Sequence, residues 1–157
     1  MKYHLEVYRD KLETFGPGFM ILMRGEEGIE KWDVITGGEQ LNPREFGGIT
    51  PPITFTVQEE IAYRDHPATR RGKMTMARIY PTFEEKVNDY NKRTFDLFGP
   101  SDYPFMVHPG SKRVGSSTGC IAVLEGWPRF VGEFNQAFRH SQANGYDLLI
   151  TVFDLDE

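Results

Sequence analysis

The sequence predicts one β-rich α+β domain over residues 1–157, with a long helix near the C-terminus and a last strand after it. Three observations lead to this. The length suits a single hydrophobic core that needs no disulfide or metal. The 16 glycines and 10 prolines divide the chain into short runs, several of which alternate apolar and polar residues. The clearest helical period lies near the end, where Phe130, Phe134 and Phe138 recur at i, i+4 and i+8.

Taken in order, Tyr3 to Arg9 alternates as a first strand. Phe15 to Gly18 supplies a Gly-Pro-Gly turn. Phe19 to Met23 reads as a buried strand, Glu26 to Gly28 as a turn, and Ile29 to Thr36 as the return strand of a hairpin. Gly37 and Gly38 open a polar loop that runs to Pro51 and Pro52. Ile53 to Val57 is a strand with Ile53, Phe55 and Val57 on one face, and Met74 to Tyr80 is another. Between them, Glu59 and Glu60 read as solvated charge, Asp65-His66-Pro67 as a turn, and Arg64 to Lys73 as a solvated loop. Thr82 to Glu85 fits a capping box that would start a helix carrying Phe83, Val87 and Tyr90. Tyr103 to Val107 is a short strand leading into His108. Pro128 suits the first turn of the long helix and Asn144-Gly145 its end. The phenylalanine stripe is read as packing on a sheet, not as a cofactor box. Alternation over Tyr146, Leu148, Ile150 and Val152 makes the last strand.

Composition narrows the function classes. Mean hydropathy is −0.48, and no run approaches the roughly 18–20 apolar residues of a membrane span. A net charge of −5 argues against a sequence-independent nucleic-acid binder, although Arg64, Arg70, Arg71, Lys73 and Arg78 are close in sequence. One cysteine excludes an internal disulfide and zinc sites built on two or more cysteines of one chain. His66, His108 and an acid lack the spacing of a zinc hydrolase, so no metal and no cofactor are expected. His4, His66 and His140 read as surface or partly buried histidines. The N-terminal residues lack the apolar run of a secretory signal, so the chain is expected to be made in the cytoplasm.

The stretch from Phe105 to Val123 carries the chemistry. It holds the only cysteine, Cys120, and His108 twelve positions before it. A cysteine nucleophile needs a base or a cation beside it to favour thiolate over thiol. His108, at the end of a strand, would supply either one, an imidazolium there stabilising the thiolate. Gly119 allows close backbone approach, and the N–H groups of Gly119 and Cys120 would face a developing oxyanion. Ser116, Ser117 and Thr118 add hydroxyl donors. Cys120 follows a Gly/Ser/Thr-rich loop and precedes Ile-Ala-Val, a loop-to-strand boundary of the kind where sites gather.

At these residues the sequence resembles the L,D-transpeptidase catalytic domain, with its YkuD-like fold. His108-Pro-Gly110 is similar to that family's first element, and Ser117-Thr118-Gly119-Cys120-Ile121 to its second. Trp32 to Gly37 followed by Thr50-Pro51-Pro52-Ile53 resembles its Thr-Gly and Thr-Pro strands. The Ser-x-Gly-Cys form, with the long helix and strand behind it, looks most like the shorter relatives of phages and interbacterial effectors. Thr118 stands where the family has a second histidine, Ile53 where it has a glycine, and Ala122 where an arginine or asparagine follows the cysteine. The resemblance implies a fold of twisted sheets and acyl transfer on peptidoglycan stem peptides. It implies Cys120 as nucleophile, His108 as base, and a hydroxyl of Tyr80 or Tyr103 near the oxyanion. Arg113, Arg78 or Lys112 would meet the substrate carboxylate in place of residue 122. It also implies action at the periplasm or cell wall, reached by phage lysis or a secretion apparatus. No protein partner is implied. The other class is a non-catalytic peptidoglycan-binding or virion structural protein on the same fold. Thr118 and Ala122 favour it, while the presence of both His108 and Cys120 disfavours it.

Overall fold

Alternating apolar residues become the inner wall of a barrel. A computed structural model describes residues 1–10, 15–37, 49–65, 73–82, 105–110 and 120–155. Among these are nine strands and one helix: β1 (Tyr3–Arg9), β2 (Pro17–Arg24), β3 (Glu27–Ile35), β4 (Thr54–Val57), β5 (Ala62–Asp65), β6 (Lys73–Pro81), β7 (Met106–Pro109), β8 (Ile121–Val123), α1 (Trp127–Ala143) and β9 (Leu149–Asp154). The strand order is β4-β9-β1-β2-β3-β8-β7-β6, and β6 pairs back onto β4, closing eight strands into a barrel. β1–β9 and β7–β8 are parallel, and the other pairs are antiparallel. The expected twisted sheets are therefore one sheet closed on itself.

Closure needs a consistent inward face, and the sequence supplies it. Leu5 and Val7, Met20 and Leu22, Trp32 and Val34, Phe55 and Val57, Ile121 and Val123, and Ile150 and Val152 are all buried in one core. Pro17 already begins β2, and Phe15 and Gly16 before it are both left-handed, with φ 70° and 54°. A Cβ on Gly16 would lie 2.7 Å from the Ile49 side chain. Gly18, expected in the Gly-Pro-Gly turn, sits inside β2 opposite Arg9, where a Cβ would run into the β1 backbone. The hairpin turn falls at Gly25-Glu26, one residue earlier than expected.

α1 lays Phe130, Phe134 and Ala137 into the barrel core, with Phe138 packed beside them. Phe130 meets Trp32 edge-on at 5.0 Å, and His140 meets Tyr3 at 5.1 Å. The helix thus covers the end of the barrel where β1 starts. Pro128 lies in its first turn, Asn144 caps it, and Gly145 leaves it with φ 72°. No described helix is long and apolar enough to cross a membrane.

β5 corrects the loop expected from Arg64 and the turn expected at Asp65. Its residues pair with Lys73 to Met76 on the edge of β6 that β4 uses further along. Four residues, 58–61, therefore stand against two, Ala77 and Arg78. Ile61 is served by a side chain instead: its N–H donates to Asn135 Oδ1 at 2.7 Å, and its carbonyl accepts from Asn135 Nδ2 at 3.1 Å. Glu59 is not solvated, since it lies 2.7 Å from Arg64 Nε and 3.0 Å from Arg78. Glu60 is more open and pairs with Arg139 of α1. The helix expected after Thr82 lies outside the described residues. Thr82 Oγ1 itself shares a hydrogen bond with Thr56 Oγ1.

The barrel end away from α1 is closed by polar groups. Arg9 continues the inward row of Leu5 and Val7, Asp154 continues that of Ile150 and Val152, and the two stand opposite each other in register. Arg9 is 1% exposed, and its Nε donates to Asp154 Oδ1 at 2.8 Å.

Candidate functional site

The site is built on the outer face of the barrel wall. β7 and β8 run parallel, with Val107 beside Ile121 and His108 beside Ala122. Val107, Ile121 and Val123 point into the core. Side chains alternate along a strand, so Met106, His108, Cys120 and Ala122 point the other way. Continuing the register by one residue sets Cys120 beside Met106. On the far side of β7, Arg78 of β6 stands opposite Met106. Two rows result, Arg78–Met106–Cys120 and Met76–His108–Ala122. His108 and Cys120 are diagonal neighbours on adjacent strands, with backbones roughly 7–8 Å apart. The two residues singled out from the sequence therefore lie on one face of adjacent strands.

Both are buried, His108 at 4% and Cys120 at 1% exposure. Cys120 clusters with Met76 and Met106, and Met74 packs alongside. Sequence reasoning gave these methionines no role.

The orientation of the imidazole follows from one bond. His108 Nδ1 lies 2.7 Å from the carbonyl oxygen of Pro109. A carbonyl only accepts, so Nδ1 carries the hydrogen, and Nε2 of the neutral ring holds the free lone pair. Burial pushes the His108 pKa below its ordinary 6.5, and the bond to Pro109 opposes this only in part. At neutral pH the ring is therefore an uncharged base. Burial thus works against the imidazolium expected beside the thiol.

The rest of the His-Pro-Gly element has a packing reason. Gly110 N–H donates to Val123 O at 3.0 Å, extending the β7–β8 ladder. A Cβ on Gly110 would lie 2.6 Å from that of Ala122. Ala122 is fully buried, so residue 122 has no room for a long side chain while the strands hold this spacing.

Cys120 is also tied from its backbone side. Thr50 Oγ1 lies 2.9 Å from the Thr36 carbonyl and 3.2 Å from the Cys120 carbonyl and shares its one hydrogen between them. Thr36 and Thr50 are fully buried and are the threonines of the Thr-Gly and Thr-Pro elements.

The remaining candidates divide. Arg78 lies in the Cys120 row, with Glu59 accepting from its Nε at 3.0 Å and from its backbone N–H at 3.4 Å. Tyr80 packs against the main core, and among the described residues no hydrogen bond joins its hydroxyl to His108 or Cys120. Tyr103, Lys112, Arg113, Ser116, Ser117, Thr118 and Gly119 lie outside the described residues, as does His66. His140 Nδ1 is bonded to the Tyr146 hydroxyl at 2.9 Å, and His4 lies 3.8 Å from Glu6, both at the α1 end.

No protein-family model matches the chain, and no curated protein matches its sequence.

Proposed function

We propose that the chain is a cysteine acyl-transfer enzyme acting on peptidoglycan stem peptides. The observation that carries this reading is the placement of Cys120 and an Nδ1-anchored His108 on one face of two adjacent parallel strands. A structural cysteine needs no such neighbour, whereas a nucleophile needs an acceptor nitrogen within reach of its proton. The substrate class rests on the resemblance of His108-Pro-Gly110 and Ser117 to Ile121 to the L,D-transpeptidase elements.

In this reading Cys120 Sγ attacks the carbonyl between the third stem residue and a terminal D-amino acid, while His108 Nε2 takes the thiol proton. The N–H groups of Gly119 and Cys120 hold the tetrahedral oxyanion. The C–N bond then breaks, and the leaving amine takes the proton from His108. The thioester passes to an amine or to water. His108 removes a proton from that acceptor and returns one to the sulfur. Arg78, oriented by Glu59, offers a guanidinium for the terminal carboxylate.

One observation favours the second reading, a non-catalytic wall-binding or virion structural protein: Cys120 is almost fully buried between Met76 and Met106. Incubation with disaccharide tetrapeptides, followed by mass spectrometry, separates the two. The enzyme releases the terminal D-amino acid or exchanges it. Cys120→Ala abolishes this and keeps the fold, because only a small side chain is lost. Turnover that survives Cys120→Ala removes the mechanism, and binding without turnover in the unaltered chain establishes the second reading.

A further inference from the structure

The polar closure of the barrel does more than fill space. A buried ion pair is a poor way to stabilise a barrel end, because desolvation offsets most of the attraction and apolar residues of similar volume serve as well or better. The pair here is connected outward. Arg9, held at Nε by Asp154, reaches with Nη1 both to Thr36 Oγ1 at 3.4 Å and to the carbonyl of Thr50. Thr36 Oγ1 in turn donates to Gly16 O at 2.8 Å. The Thr50 backbone N–H donates to Thr36 O at 2.6 Å, so the two threonines are clamped together. The chain of bonds ends at the carbonyl of Cys120, through Thr50 Oγ1. Six separate stretches of sequence meet in this network, and each member side chain is at most 4% exposed.

From this we infer that Arg9 and Asp154 are positioning residues for Cys120, acting through Thr36 and Thr50. Cys120 immediately precedes β8, and its carbonyl is where Thr50 Oγ1 reaches the start of that strand. Holding that carbonyl fixes the backbone torsion of Cys120, and with it the direction of Sγ toward the β7 row that carries His108. The inference rests on the acyl-transfer reading for its importance, but its geometry is separate from any substrate.

The test uses the full chain and two readouts. One is release of the terminal D-amino acid from disaccharide tetrapeptides. The other is the ultraviolet absorbance of the thiolate against pH, which a single cysteine makes unambiguous once the Cys120→Ala signal is subtracted. Thr50→Val removes the donor at nearly constant shape, and Thr50→Ser retains it. The double change Arg9→Met with Asp154→Leu removes the whole network at similar volume. Thr50→Val and the double variant should lower kcat roughly tenfold or more with KM little changed. They should also raise the thiolate midpoint by about half a pH unit or more. Thr50→Ser should behave as the parent, and the double variant should be no less thermally stable. If both variants lose only thermal stability, or keep kcat and the thiolate midpoint, the network is merely structural and the inference is overturned. If the parent releases nothing, the stem-peptide reading fails by itself. The thiolate midpoints then still decide: shifted, the positioning role stands; unshifted, it falls. Should Thr50→Val not fold, the double variant decides on the same two readouts.

Discussion

His108 combines near-complete burial with a titratable ring, and that has a sign. In the unfolded chain it takes a proton near the ordinary value of 6.5, while burial holds the folded value lower. Above about pH 6.5 neither state is protonated, and its contribution to stability is complete. As pH falls below that, the unfolded chain binds a proton that the folded chain refuses. Stability then drops by at most about 1.4 kcal/mol per pH unit until the folded value is reached. Denaturant midpoints compared between about pH 7 and about pH 5 should fall less in His108→Gln than in the parent. An equal fall in both would show that the buried ring is not the group being titrated. The places of His108 and Cys120 could be proposed from the sequence, because a lone cysteine after a Gly/Ser/Thr-rich run and a histidine at a strand end are local signals. The neutrality of His108 could not, because it comes from burial on a wall that the chain assembles from distant strands. Arg9 left a trace that went unread: a charge continuing the inward row of Leu5 and Val7 must find a buried partner.

Between neighbouring elements, contacts a single atom wide set the spacing. Gly110 over Ala122 is one of them. Gly110→Ala should destabilise the fold by about 1–3 kcal/mol, because a methyl 2.6 Å from another forces β7 and β8 apart. Ala122→Gly in the same chain should restore much of the loss in a urea titration. A second such contact is the amide of Asn135, which stands in for a strand at Ile61. Asn135→Ala leaves a buried N–H and a buried carbonyl without it and should cost about 2–4 kcal/mol, read by the same titration. Hydrogen exchange at Ile61 should rise with it if the local account is right. The elements with alternating or helical periods, β1, β4, β6 and α1, could be read from the sequence to within a residue or two. β5 could not. Ala62-Tyr63-Arg64-Asp65 has no buried face, Tyr63 is 69% exposed, and the strand exists because an unused edge of β6 holds it.

For the whole molecule, the helix and the closed sheet share one core, so neither is stable alone. Phe134→Ala, at the centre of the α1 stripe, should cost about 3–5 kcal/mol and lower the unfolding midpoint of barrel and helix together. Separate transitions by near- and far-ultraviolet circular dichroism would show instead that the helix is an independent layer. The sequence predicted strands and one long helix but not closure, because no local period says that β6 returns to β4 or that β9 inserts beside β1. Periodicity gives each strand an inside and an outside, and pairing order is decided only when all the inside faces compete for one core. That order also bears on synthesis. Among the described strands β9 is made after all the others, and it fills the gap between β1 and β4 while delivering Asp154 to Arg9. A nascent chain still short of β9 can form the β1-β2-β3 meander, but its cylinder stays open along one seam. Its guanidinium at Arg9 then lacks its carboxylate. An ordered Cys120 therefore waits until β9 has closed the seam.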